Sequence, residues 1–152
     1  MKNIKGIWFF GPSGSGKTFA SEYLKNKIKR SFLIDGDEVR NHISTDLGFD
    51  KISREIQIQR IFGLSKICLI NGYFCITSSV YMNQKISKYI FKEKIMLCYI
   101  NRNLVEIEKH HPTYTQNKKY IVGKDIKYEN FDYKIINNNE GDFCETLNKL
   151  IV

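Results

Sequence analysis

Residues Gly11-Pro12-Ser13-Gly14-Ser15-Gly16-Lys17-Thr18 match the pattern G-x-x-x-x-G-K-[ST] in full, and no other stretch constrains the fold as tightly. An apolar run over residues 4–10 precedes the loop and reads as a buried strand, and a helical pattern over 18–29 follows it. Such a strand–loop–helix unit turns successive backbone N–H groups of Gly11, Ser13, Gly14, Ser15 and Gly16 inward around phosphate oxygens, where bulky side chains would block the approach. Lys17 is then expected to bridge the β- and γ-phosphates of a nucleoside triphosphate, and the Thr18 hydroxyl to ligate Mg²⁺. The pattern points to a nucleoside triphosphate with Mg²⁺ but does not select among kinases, switches and motor fragments.

The rest of the chain repeats one arrangement, in which a short apolar run is followed by a turn and an amphipathic stretch. Strands are expected at 32–34, 73–77, 95–100 and 133–136, and helices at 52–71, 104–109 and 142–152. Alternation of this kind predicts an α/β fold, a five-stranded parallel sheet sandwiched between helices. No linker, repeat or low-complexity segment divides residues 1–152, so a single domain is expected. The longest stretch without periodicity, about 110–130, is rich in Lys, Asn, Tyr and Thr and is expected to be a short lid.

The chain carries 24 Lys+Arg against 16 Asp+Glu, a net charge of +8, which invites a nucleic-acid reading. The lysines are scattered without a block of five or six like charges, and 19 Lys, 22 Ile and 13 Asn together match the codon usage of an AT-rich genome. A small anionic substrate is therefore preferred over a nucleic acid. Cys68, Cys75, Cys98 and Cys144 form no C-x-x-C pair and are expected to be reduced and mostly buried. No apolar run reaches the ~20 residues of a membrane span, and the start Met1-Lys2-Asn3-Ile4-Lys5-Gly6 lacks a signal-peptide core. A cytoplasmic enzyme with no membrane partner is the expectation.

Asp35-Gly36-Asp37 falls at the carboxyl end of the second strand, where a doubly wound sheet places its ligand crevice. Taken alone, it is equally a turn with two solvated acids. The run Asp35-Gly36-Asp37-Glu38-Val39-Arg40, then Asp46-Leu47-Gly48-Phe49, then Arg54 and Arg60, resembles the adenylylsulfate (APS) kinase family, which reads DGDNxR, DLGF and DRxxNxxR. Gly123-Lys124-Asp125-Ile126-Lys127-Tyr128-Glu129 is similar to the family's TGxDxPYE, and the resemblance runs from about residue 8 to 138.

The resemblance implies a P-loop kinase that moves the γ-phosphate of ATP onto the ribose 3′-hydroxyl of a small nucleotide. It makes Asp37 the group that orients or deprotonates the hydroxyl and Asp35 the acid near Mg²⁺. Arg40 and Arg54 would hold the acceptor's anionic end, and Phe49 would wall its pocket. Arg40 reads equally as a solvated helix residue, Phe49 as core and Arg60 as a surface ion-pair partner. Gln57, Ser79 and Tyr120 complete the acceptor-side candidates: Gln57 stands where the family has Asn, and Tyr120 is a stacking substitute beside the Ile121 that replaces the lid Phe. A homodimer is kept open, because similar enzymes often form one.

The departures gather on the acceptor side. SPYR is absent from Ser78-Ser79-Val80-Tyr81-Met82-Asn83, removing an arginine and a proline, and the lid motif DPKGLYKKA becomes residues 111–119, without the lysine after DP. Ser79-Val80-Tyr81 resembles a divergent branch of the family found in surface-polysaccharide pathways, one member of which phosphorylates cytidine diphosphoramidate. The acceptor is thus APS or such an analogue. Of His110-His111-Pro112, a solvated hinge is expected, with stacking of His110 on the ATP base as the alternative. Two other functions remain open: a non-catalytic nucleotide-binding regulatory module, and a P-loop kinase for another small metabolite.

Overall fold

The structure, a computed structural model, describes residues 3–116, 118–138 and 141–151; Met1, Lys2, Asn117 and Val152, which figure in the sequence readings, lie outside it. Five parallel strands run in the order β2-β3-β1-β4-β5: β1 (Gly6–Phe10), β2 (Ser31–Asp35), β3 (Phe74–Ser79), β4 (Ile95–Asn101) and β5 (Lys134–Asn137). The expected α/β sandwich is the observed one.

The central strand β1 is buried at every position because helices cover both faces of the sheet, as a parallel sheet requires. Its side chains alternate between two cores. Trp8 and Phe10 point into a layer with Ile58, Ile61, Ile86 and Ile90, supplied by α3 (Lys51–Ile70) and α4 (Gln84–Lys92). Ile7 and Phe9 point the other way, to Ala20, Leu24 and Leu147 of α1 (Lys17–Lys27) and α7 (Phe143–Asn148). Strand β1 starts at Gly6 rather than residue 4, and a Cβ at Gly6 would run into the Cys75 carbonyl oxygen. Cys68, Cys75 and Cys98 are buried free thiols.

Three helices were not anticipated, the last of them a single turn. The segment after β2 is α2 (Gly36–His42), capped by the Asp35 side chain, and α4 is capped by Asn83, whose Oδ1 accepts Ile86 N–H at 2.9 Å. Both are short, and their polar caps sit inside sequences that read as turns. A seven-residue α5 (Leu104–His110) and a single turn α6 (Pro112–Thr115) follow β4.

The stretch expected as a lid is only partly loop. Ile121, Val122 and Ile126 are buried, and Asp125 closes their turn by accepting Ile121 N–H at 2.8 Å. Beyond it, Phe10 is ringed by Tyr99, Tyr128, Phe131 and Tyr133 at centroid distances of 5.2–5.5 Å. Among the described residues, no helix is long and apolar enough to cross a membrane.

Candidate active site

The carboxyl ends of the strands open into a cleft of about 970 Å³. Its floor is the loop between β1 and α1. Gly14 (φ +79°) and Gly16 (φ +102°) hold left-handed backbone that only glycine adopts at low cost. Gly16 caps α1 without a side-chain hydrogen bond, so the first N–H groups of that helix have no side-chain cap and suit an anion. Lys17 folds back over the loop, its Nζ donating to the Pro12 carbonyl at 2.7 Å. Burial lowers the Lys17 ammonium to about 8, against the opposing pull of Asp37 and Asp35. Thr18, one residue on, is exposed at the cleft.

The acidic corner divides its labour. Asp35 Oδ1 accepts the backbone N–H of Asp37 at 2.8 Å and Oδ2 accepts the Ser78 hydroxyl at 2.7 Å, fixing the start of α2 over the end of β3. Asp37 is exposed in the cleft, and its charge acts on Lys17, Arg40, Arg54 and His111 together. Of the two, Asp37 is therefore placed to meet a reacting group, while Asp35 holds the corner.

Phe49 forms one wall, 57% exposed and so not core. The guanidinium of Arg40 lies 4.7 Å from its ring centroid and that of Arg54 5.7 Å. Arg40 Nη1 donates to the Gly48 carbonyl at 2.7 Å; Arg54 Nε donates to the Phe49 carbonyl at 2.8 Å and its Nη2 to the Tyr120 carbonyl at 2.9 Å. Burial lowers both arginines from their ordinary values, and in Arg54 the charge of Arg40 adds to this. Two cations side by side in a half-buried pocket favour a multiply charged anion. Gln57 is buried one turn along α3, its Nε2 donating to Gly36 O at 2.9 Å.

Ser79 lines the cleft, yet its hydroxyl is committed: it accepts from Trp8 Nε1 at 2.8 Å and donates to Tyr81 O at 2.9 Å. Tyr120 lines the cleft and is half exposed. Arg60 stands apart, in a bidentate ion pair with Asp46 on the surface. Met82, at the place of the missing arginine, is fully buried.

Several cleft residues escaped the sequence reading. His111, not His110, faces the loop: a Cβ on Gly14 would stand 2.8 Å from its ring. Burial and the nearby Lys17 and Lys118 lower the His111 imidazole. Lys118 and Lys119 line the cleft and restore positive charge near the lysine lost after Pro112. Arg102 and Asn138 reach the loop from its outer side, donating to Gly14 O at 3.0 Å and Ser15 O at 2.7 Å. Their one signal in sequence was position, each two residues beyond the end of an expected strand.

Comparison with known proteins agrees with this geometry. The profile of the adenylylsulphate kinase family matches residues 4–131. An adenylyl-sulfate kinase of Bacteroides thetaiotaomicron is 34% identical over 111 residues, covering 68% of this chain and 55% of that protein. One from Vibrio cholerae is 28% identical over 137 residues, covering 81% and 64%. The chain thus spans between about half and two-thirds of the length of these curated relatives. The fold is shared with an APS kinase of Mycobacterium tuberculosis solved with AMPPNP and APS, at a TM-score of 0.84 and 18% identity over 97% of this chain and 95% of that one. With a family profile spanning both the phosphate loop and the Asp37–Arg54 wall, the chain belongs to the adenylylsulphate kinase family.

Proposed function

We propose that the protein is an ATP-dependent kinase that phosphorylates the ribose 3′-hydroxyl of a small anionic nucleotide. The observation that carries this reading is the position of Asp37, whose field reaches Lys17 on the triphosphate side and the Arg40/Arg54 pair on the other. In the reaction, Asp37 accepts the proton of the 3′-hydroxyl as that oxygen bonds to the γ-phosphorus and the bond from phosphorus to the β,γ-bridging oxygen breaks. ADP and the 3′-phosphorylated nucleotide result. Lys17 and the N-terminus of α1 balance the charge that develops on the phosphoryl oxygens. Phe49 and the two arginines hold the acceptor so that its hydroxyl lies in line.

The donor set fits Mg²⁺. The described residues contain no cage of three or more His, Cys, Asp or Glu, and Mg²⁺ at phosphates needs only one or two protein oxygens. The exposed Thr18 hydroxyl and the lone pairs left to Asp35 by its two hydrogen bonds are those oxygens. Bound there, the ion would supply neutralising charge to the β- and γ-phosphates.

APS is the first acceptor to test, since a relative of the same fold was solved with it. A nucleotide with another small terminal group, such as cytidine diphosphoramidate, is the second. Ser79-Val80-Tyr81 in place of SPYR and the burial of Met82 support it, because the acceptor end then meets fewer cations. The test is incubation with ATP, Mg²⁺ and either nucleotide, followed by mass spectrometry of the product. Transfer to a 3′-hydroxyl is expected; ATP binding without transfer to any nucleotide would favour a regulatory module, and transfer to a sugar or shikimate-like alcohol would favour a metabolite kinase.

A further inference from the structure

The geometry points to Arg102 and Asn138 as positioning residues that clamp the phosphate loop from behind and set the direction of its N–H groups. This rests on the proposal that the loop holds a triphosphate. In a planar trans peptide, the carbonyl and the following N–H point to opposite sides, so a donor that grips the carbonyl also aims the amide. Asn138 Nδ2 grips Ser15 O at 2.7 Å, which turns the Gly16 N–H the other way, toward the ligand side of the loop. Arg102 Nη1 grips Gly14 O at 3.0 Å. The next amide, Ser15 N–H, donates to Pro12 O at 3.2 Å, the same carbonyl that receives Lys17 Nζ. One guanidinium thus fixes a turn on which the catalytic lysine also rests.

The two clamps are themselves coupled. Arg102 follows the end of β4 and Asn138 follows the end of β5, strands in register at Asn101 and Asn137. Asn101 Nδ2 donates to Asn137 Oδ1 at 3.0 Å, and Asn138 N–H donates to Asn101 O at 2.9 Å, so the ladder continues to the clamp. The fit is close: a Cβ on Gly16 would stand 2.5 Å from Asn138 Nδ2. A third contact, Tyr114 Oη to Ser13 O at 3.5 Å, is long and adds little. Without the clamps, the loop's amides would have to be ordered by the nucleotide itself, at the expense of affinity.

The experiment measures dissociation constants for AMPPNP and for adenosine, each with Mg²⁺, by calorimetry on the full chain and on Arg102→Met, Arg102→Lys and Asn138→Ala. We expect Arg102→Met and Asn138→Ala to weaken AMPPNP about tenfold while adenosine changes less than about twofold, and Arg102→Lys, which keeps a donor, to recover most of the loss. Asn138→Leu serves as a near-isosteric, uncharged check should Asn138→Ala unfold, since it keeps volume and loses the donor. Equal AMPPNP affinity in parent and variants, or equal weakening of AMPPNP and adenosine, overturns the clamp alone. A parent chain that does not bind AMPPNP overturns the nucleotide reading itself, and the clamp with it.

Discussion

Arg54 Nη2 donates to the Tyr120 carbonyl oxygen at 2.9 Å, joining the first turn of α3 to a residue 66 positions later. The same guanidinium lies over Phe49, so one side chain binds together the acceptor wall and the segment that arches over it. Arg54→Ala is expected to raise the KM for the acceptor nucleotide more than about tenfold, with AMPPNP affinity changed less than about threefold. The segment near Tyr120 should also be cut faster in limited proteolysis. Steady-state kinetics with each substrate varied in turn, beside a proteolysis time course, check both outcomes.

Asp37 has the freer carboxylate of the acidic pair, because Asp35 spends both oxygens on the start of α2 and on Ser78. Asp37→Asn should lower kcat by roughly 10²–10⁴-fold while the thermal midpoint stays near the parent value. Asp35→Ala should lower both, since it removes a helix cap as well. A fold that tolerates Asp35→Ala and fails with Asp37→Asn would reverse the assignment.

Lys17 stands at about 8 in the folded protein and at 10.5 when free of it. Between those values the unfolded chain holds the proton and the folded chain has lost it, so stability rises with pH across that window. Below pH 8 the burial of the charged amine costs the nucleotide-free protein about 3 kcal/mol. Lys17→Met should therefore stabilise the protein at pH 7 and abolish turnover, and urea unfolding at pH 7 and pH 9.5 should show the gain shrinking at the higher pH. A triphosphate favours the charged amine, so AMPPNP should bind with proton uptake above pH 8 and more weakly as the pH rises.

Ser79→Ala reads on stability before it reads on substrate. The hydroxyl is the partner of Trp8 Nε1 in the buried core, and its loss strands that donor at a cost of about 1–3 kcal/mol. Chemical denaturation should show the loss, with the KM for ATP unchanged.

The loop at residues 11–18 was legible because its chemistry is local: glycines, lysine and threonine act at fixed spacing along one strand–helix joint. The sheet was legible for a similar reason, since β1 and β4 are continuous apolar runs. Helix α2 was hidden because Asp35 is both the end of a strand and the cap of the next helix, and caps look like turns. Arg102, Asn138 and His111 were hidden because their meaning is a contact over a long sequence separation, 88 and 123 residues in the first two cases. The solvated hinge expected at His110-His111 fits His110, exposed at the end of α5, while His111 caps α6 and lines the cleft.

The aromatic ring around Phe10 also anchors one foot of the arch over the cleft. Tyr128 is fastened to Val80 O at 2.7 Å and Glu129 accepts Gln84 N–H at 2.9 Å, so the returning limb of the arch is moored to the turn after β3 and to α4. At its leading end, α5 is packed through Ile107. The arch is thereby held at both feet. On the proposed function, an arch held in this way suits a compact nucleotide beneath Tyr120 better than a threaded polymer.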